Sequence, residues 1–367
     1  MKCIKSSTCS FLVLLLLFAG VSTGWSQVRE KRVDKTFNVN SNTRLSIDNK
    51  FGKVHINTWD QKNIKAEVVV EADGSESDAR AVLDRISIDV SESSSEIRLE
   101  TEISESNNKW RNQRFRINYT LSVPRNNPIN IEHRHGDVYI DNFDGQLWLD
   151  LAHGQIVAEE LNGRCEIELQ HGNGGRIAAI GSGELEIQHY NRLRLGRLGD
   201  LEIEIAHTNI EVEHTGDLRM ELRHSNLEMG DAGDLQLDMQ HSKLKAESIR
   251  SLTVDLQHSN VDTDELGGSL RADGNHSNLE MGRVSNNFKE ILFDGNHSYL
   301  GFDLSSGTDA SLEVELNHGR LNYPESKVSM SYVNVENNSR EYKGKVGNGN
   351  GGKIQIDGNF TDIKIGD

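Results

Sequence analysis

Between residues 135 and 323 apolar and polar residues alternate in short runs, a period of two that predicts β-strands. Leu201, Ile203 and Ile205 alternate with Glu202 and Glu204. Leu218, Met220 and Leu222 repeat the pattern, as do Leu235, Leu237 and Met239, then Leu252, Val254 and Leu256. Each run stops two residues before a histidine. After the histidine the apolar phase slips by one, to Ile210 and Val212, Leu227 and Met229, Leu244 and Ala246. A one-residue slip turns a strand inside out unless the chain bends there. The H-[GST]-N segments at His207, His224, His258 and His276 suit such a corner, because small residues and Asn tolerate a left-handed backbone. Gly-Asp or Gly-Glu pairs at Gly183, Gly199, Gly216 and Gly233 mark a second bend.

The histidines define the repeat. His135, His153, His171, His189, His207, His224, His241, His258, His276, His297 and His318 recur at spacings of 18, 18, 18, 18, 17, 17, 17, 18, 21 and 21. His55, His133 and His214 lie off this ladder. A unit of two short strands cannot bury its apolar face alone, so neighbouring units must stack. The predicted fold class is all-β: an elongated single-stranded β-solenoid, β-helix-like, with coils of about 17–21 residues. Coils about 4.8 Å apart make a rod of roughly 50 Å from eleven repeats. A β-propeller blade needs four strands and about 40 residues, which this repeat does not supply. Phe51 takes the histidine's place in Asn49-Lys50-Phe51-Gly52-Lys53-Val54, and Phe360 takes it in Asp357-Gly358-Asn359-Phe360-Thr361. Phe360 is 42 residues past His318, two spacings of 21, which places it two coils further on. The solenoid is expected to start near residue 36 and run to the end of the chain. One excursion interrupts it at about 73–115, with a short helix over Ser77–Arg85 and a polar stretch, Ser104–Asn112.

Charge divides the chain. Residues 27–134 hold 18 Lys+Arg and 17 Asp+Glu, residues 135–323 hold 14 and 34, and residues 324–367 hold 6 and 6. The expected organisation is a segment 1–26, N-terminal coils over 27–134, an acidic ladder solenoid over 135–323 and C-terminal coils over 324–367. The acidic block repels nucleic-acid phosphate and anionic lipid and attracts cations or basic partners. Nucleic-acid binding is excluded on this ground. The hydrophobic share, 35%, fits a slender two-layer core and not a large spherical one. Lys2 and Lys5 precede an apolar run from Phe11 to Val21, then Ser22, Thr23, Gly24 and Ser26. That is the layout of a signal peptide cleaved after Gly24 or Ser26, and the run is short of the roughly 20 residues of a membrane span. The mature chain is expected in the periplasm, at the cell surface or outside the cell, with no membrane span after cleavage. Cys165 is then the one cysteine left, and among β-formers it reads as a small buried apolar group.

The run Ile117-Asn118-Tyr119-Thr120-Leu121-Ser122-Val123-Pro124, then Ile129-Asn130-Ile131 and His135-Gly136-Asp137-Val138, resembles the putative-adhesin (toastrack-like) family of secreted bacterial β-solenoids. Gly52-Lys53-Val54-His55-Ile56-Asn57-Thr58-Trp59-Asp60 is similar to that family's opening coil. The resemblance covers about residues 36–367. It implies a cell-envelope β-solenoid without assigned catalysis, and it carries over no site residues. The chain departs from the family by placing His where Ser or Thr usually precedes the Gly.

The ladder histidines share the inward phase of the leucines before them, so the first reading is structural: rings stacked inside the corner and hydrogen-bonded to backbone. The alternatives are a metal site, with the eleven ladder histidines sharing Zn²⁺, Cu²⁺ or Ni²⁺, and a pH sensor. Imidazolium ions about 4.8 Å apart repel by about 0.9 kcal/mol in water and about 3.5 kcal/mol at an effective dielectric of 20. An interior ladder is therefore expected to stay neutral and to lose stability below about pH 6.5. Glu184, Glu186, Glu202, Glu204, Glu211, Glu213 and Asp217 form outer acidic columns with Arg192, Arg194 and Arg197 between them. Their first reading is a solvated face, and their second is a weak, superficial site for divalent cations. Gly347-Asn348-Gly349-Asn350-Gly351-Gly352 lacks the strand–loop–helix setting of a phosphate loop. Short regular loops and few aromatics argue against a glycan-degrading enzyme. The expected function is a non-enzymatic, cofactor-free envelope scaffold or adhesin whose flat acidic face meets a protein or an envelope glycan.

Overall fold

The computed structural model describes residues 27–104 and 114–366, so the expected signal peptide (1–26) and most of the polar stretch 104–112 lie outside the described residues. The chain is an all-β solenoid. Every coil gives one strand to a front sheet, turns at a ladder position and gives one strand to a back sheet. Front strands include Ile129–Arg134, Leu147–Ala152 and Leu218–Arg223, and back strands include Gly136–Ile140, Asn209–Thr215 and Asn260–Leu266. At the second bend the chain often stays continuous, as in Gly175–Gln188, Asn226–Gln240 and Lys243–Gln257.

Successive coils pair parallel and in register. Leu185 aligns with Ile203, Met220, Leu237, Val254 and Ala272 in the front sheet. Ile210 aligns with Leu227, Leu244, Val261, Leu279, Leu300 and Ile363 in the back sheet. All of these are buried. The two columns face each other across a thin core, as the low apolar content requires.

The corner explains the phase slip. All eleven ladder histidines have φ between 49 and 58°, and Phe360 has 50°. A left-handed residue redirects the chain so that the leucines before it and after it both point inward. The residue after the ladder position then turns into the core. Thr208, Ser225, Ser242, Ser259, Ser277, Ser298 and Thr361 are buried there. Ser242 Oγ accepts from the backbone N–H of Ser225 (3.2 Å) and donates to Gln240 O (2.8 Å), and the same link recurs from Thr208 to Ser277. This column of hydroxyls satisfies donors that the tight corner would otherwise bury unpaired. Gly136 and Gly154 stand in the same place where the neighbouring coil's backbone leaves no room for a side chain. Tyr190, the one large residue in the series, fills the space above Gly172 and donates from its hydroxyl to Gly154 O at 3.0 Å.

The described residues of 60–104 and 114–128, between the coil at Phe51 and the coil at His135, build the N-terminal end with Gln27–Asn38. Glu96–Ile103 extends the front sheet from Arg44–Asn49, and Arg114–Pro124 extends the back sheet from Gly52–Trp59. The expected short helix is α1 (Glu76–Leu83), N-capped by Ser75 and burying Ala79 and Val82 against the strands Gln27–Asn38 and Asn63–Gly74. The excursion is joined to the solenoid by a buried polar cluster. Asn49 donates to Phe51 O and Ile117 O and accepts from Thr101, which also meets the Tyr119 hydroxyl at 2.7 Å.

The C-terminal end departs from the expected order. Phe360 does not lie two coils beyond His318. The final coil, Gly352–Asn359 and Asp362–Gly366, inserts between the coils of His297 and His318. The chain first skips a place, builds Ala310–Asn317 and Arg320–Asn322, forms the hairpin Val328–Glu336/Ser339–Val346, and then returns to fill the gap. Even spacing along the chain concealed this, because His297 to His318 is 21 residues although it skips a place, and the hairpin brings His318 to Phe360 to twice that number.

The corner hydroxyls should matter more than the outer residues beside them. Ser242→Ala leaves the Ser225 N–H without its acceptor and should cost about 1–3 kcal/mol. The exposed Asn226→Ala should stay within about 0.5 kcal/mol. Thermal midpoints of the two variants provide the comparison, and equal losses would remove the hydroxyl column's assigned role.

Candidate functional site

The ladder rings form one column. Neighbouring imidazoles stack at centroid distances of 4.7–5.1 Å with interplanar angles of 1–24°. Phe51 begins the column against His135 at 5.3 Å, and Phe360 sits between His297 (4.7 Å) and His318 (4.5 Å).

The column is outside the core, which corrects the inward placement expected from the alternation. All eleven histidines are exposed. The alternation misled because it continues only through extended backbone; at a left-handed residue the side chain leaves the phase of its strand. At exposed positions the bulk-water repulsion applies, about 0.8 kcal/mol per protonated neighbour pair at this spacing. The acid lability expected of an interior ladder therefore loses its basis. The rings also stack face to face, so their in-plane lone pairs run side by side instead of converging on an ion. Among the described residues no three His, Cys, Asp or Glu side chains form a group able to hold a metal.

A left-handed corner costs a non-glycine residue roughly 1–2 kcal/mol, while each ring contact returns about 0.5–1.5 kcal/mol. Each contact is shared by two rings, so the column supplies about one per residue and offsets most of the backbone cost. The imidazoles are thus close to neutral for the fold, and what they add is surface chemistry.

The sequence pattern understated a second column. Three residues before each ladder position stands a carboxylate, on the outer face of the front sheet. In spatial order these are Glu100, Asp48, Glu132, Asp150, Glu168, Glu186, Glu204, Glu221, Asp238, Asp255, Asp273, Asp294, Asp357 and Glu315, each aligned with the next. Asp89 and Glu341 prolong the line at its two ends through antiparallel partners. Arg134 pairs with Asp150 at 2.5 Å, Arg98 with Glu100 at 3.0 Å, and Arg223 with Glu221. From Asp238 to Asp357 the neighbouring column holds the uncharged Gln240, Gln257, Asn275, Asn296 and Asn359. There, burial first and then the carboxylates of Asp255 and Asp294 push the Asp273 carboxyl above its usual range. Nearer the N-terminal end the face carries a shallow depression of about 480 Å³ bordered by Trp148, Asp150, Glu168, Glu186, Glu202 and Glu204. The columns named from sequence divide between the sheets: Glu184, Glu186, Glu202 and Glu204 are on the front sheet, whereas Glu211 and Arg194 pair on the back at 2.7 Å.

Cys165 is buried, and burial pushes its thiol up to about 12, far from a nucleophile's range. His133, off the ladder, is the buried histidine. Its Nδ1 and Nε2 each lie 3.1 Å from a carbonyl oxygen, of Asn49 and Gly52. A neutral ring donates to only one of the two, and burial still holds its pKa below the usual histidine value.

No protein-family model and no curated protein matches the chain. Among solved structures, a putative cell adhesion protein from Clostridium sporogenes is 12% identical, covering 92% of this chain and 99% of its own, with a TM-score of 0.22. A putative adhesin from Bacteroides fragilis is 11% identical over 91% of this chain and 97% of its own, with a TM-score of 0.21. One from Parabacteroides distasonis is 10% identical over 91% and 97%, with a TM-score of 0.24.

The depressed His133 value has a definite sign. Below about pH 6.5 the unfolded chain binds a proton that the folded chain resists, so this contribution is complete above that pH and is lost as pH falls through the folded value. The thermal midpoint of the parent should fall on acidification through this window, and His133→Asn should flatten that part of the profile. An unchanged profile in the variant would assign the acid response elsewhere. For the ladder, His224→Gly should stay within about 1 kcal/mol of the parent, and His224→Val, β-branched at positive φ, should lose more.

Proposed function

We propose that the chain is a non-catalytic exported scaffold that binds a cationic partner of the cell envelope along the outer face of its front sheet. The observation that carries this reading is the line of carboxylates from Asp89 to Glu341, in register from coil to coil. Isolated surface acids serve solubility. An aligned row of like charges carries an electrostatic cost, to which Asp255 and Asp294 add at Asp273 after burial, and a cationic partner relieves that cost along the row. Adhesion is also what the sequence resemblance implies. Export follows from the leader-like segment Lys2 to Ser26.

A second reading, pH-dependent binding, is favoured by the exposed imidazole column that runs beside the carboxylates. Imidazoles as a class change charge between about pH 5 and 8, and protonated rings compete with a cation for the same face. Around the column stand Arg134 and Arg223 before the corner, and Asp137, Lys243, Arg320 and Asp362 after it. Asn296 meets His297 at 3.0 Å and Asn338 meets His318 at 2.9 Å.

The test is retention of the exported chain on envelopes isolated from the producing cells. Retention should be lost at about 1 M salt, where screening acts within about 3 Å. It should also be lost in the triple variant Asp255→Asn, Asp273→Asn, Asp294→Asn, whose thermal midpoint should hold or rise. Equal neutralisation of the back sheet through Glu211→Gln, Glu228→Gln and Asp262→Asn should leave retention intact. Loss from both sets alike, or from neither, would overturn the reading.

A further inference from the structure

The two ends of the rod are built differently. At the N-terminal end α1 covers the strands Gln27–Asn38 and Asn63–Gly74. The outermost strands there are charged: Arg29, Glu30, Lys31, Arg32, Asp34 and Lys35 on one, Asp89 and Glu92 on the other. Charges of this density guard an edge against strand pairing.

The C-terminal end has no helix over it, and among the described residues its hairpin carries one inward charge, Arg340, in register between Leu316 and Val335 and donating to Gly319 O. The front sheet runs two strands further than the back sheet, whose last strand is the three-residue Arg320–Asn322. Register with buried Val314 and Leu316 places Val333 and Val335 on the inward face of the hairpin, yet they are 51% and 57% exposed. Met330 and Tyr342 beside them are half-buried. The outermost strand, Val328–Glu336, pairs among the described residues only with Ser339–Val346 and has no charge or proline from Val328 to Val335.

We infer that this end is an interface between two copies of the chain, joined end to end about a two-fold axis through antiparallel pairing of Val328–Glu336 with itself. A solenoid end that leaves its inner face open needs a cap, and the same end of a second copy supplies an apolar inner face and an unpaired edge at once. The charge pattern selects this occupant. The body is strongly acidic, but residues 324–346, which form this end, carry 4 Lys+Arg and 3 Asp+Glu, so two C-terminal ends approach without strong net repulsion. The guarded N-terminal edges block head-to-tail growth, which leaves a closed dimer and not a fibre. A nine-residue strand with a small apolar patch is below the standard interface size, so the association is weak, in the micromolar range.

Sedimentation of the exported chain between about 1 and 300 μM should show a monomer–dimer equilibrium. Small-angle scattering should give the dimer nearly twice the length of the monomer, itself roughly 75 Å from the strand spacing. Val333→Lys with Val335→Lys should abolish the dimer and leave the monomer's thermal midpoint unchanged. Val335→Lys alone serves if the pair does not fold. A chain that is monomeric throughout, a dimer no longer than the monomer, a dimer that survives the lysines, or a monomer that pairs only with an added foreign strand peptide would each overturn the inference.

Discussion

The molecule depends on one backbone constraint: a residue held at positive φ once per coil, beside a buried hydroxyl or glycine. A strand that simply continued past the corner would send half its leucines into water. The left-handed residue resets the facing, and the next coil's backbone receives the corner N–H. Because each coil pairs with its neighbours, a failure at a corner stays local to the adjoining floors of the rod. Ser and Thr suit the inward position because they are small and because one hydroxyl can accept from the coil above while donating within its own.

In-register stacking has a second result, at the surface. Whatever residue type occupies a given place in the repeat becomes a line along the rod. Leucine and isoleucine lines make the core, asparagine lines bind one another through their amides on the back sheet, and carboxylate and imidazole lines make the front and its border. A line of like charges is electrostatically unfavourable. Arginine and glutamine temper it near the N-terminal end through Arg134, Gln170 and Gln188, whereas the stretch from Asp238 to Asp357 is bordered by uncharged Gln240, Gln257, Asn275, Asn296 and Asn359.

Much of this was legible in the residues. Alternating leucines, the one-residue slip and the histidine spacing together specify a stacked two-sheet solenoid, and the helix near Ser77–Arg85 appears as Glu76–Leu83. Two features were not legible, for physical reasons. Side-chain direction at His207 or His224 is set by φ, which a polarity pattern does not encode, so an outward ring was read as inward. The place of Phe360 is set by which edge the returning chain finds open, and spacing carries no record of that. The carboxylates were visible one coil at a time, as Glu186 or Glu204. Their union with Asp48 and Glu100 needed the register of a strand more than 80 residues from His135. Tyr190, which breaks the small-residue rule, makes sense only beside the bare Gly172.

The returning coil has a temporal consequence. A rod of this kind can zip up floor by floor while its chain is still emerging, since each new turn needs only its predecessor. That freedom ends at Leu304. The turn carrying His318 has only the hairpin strand Ser339–Val346 beside it until residues 352–366 slide into the vacant storey, so the rod's far end joins the body only when that segment arrives. Residues 352–366 are therefore what closes the rod, and a chain lacking them would keep most of its length but carry a missing floor near its summit.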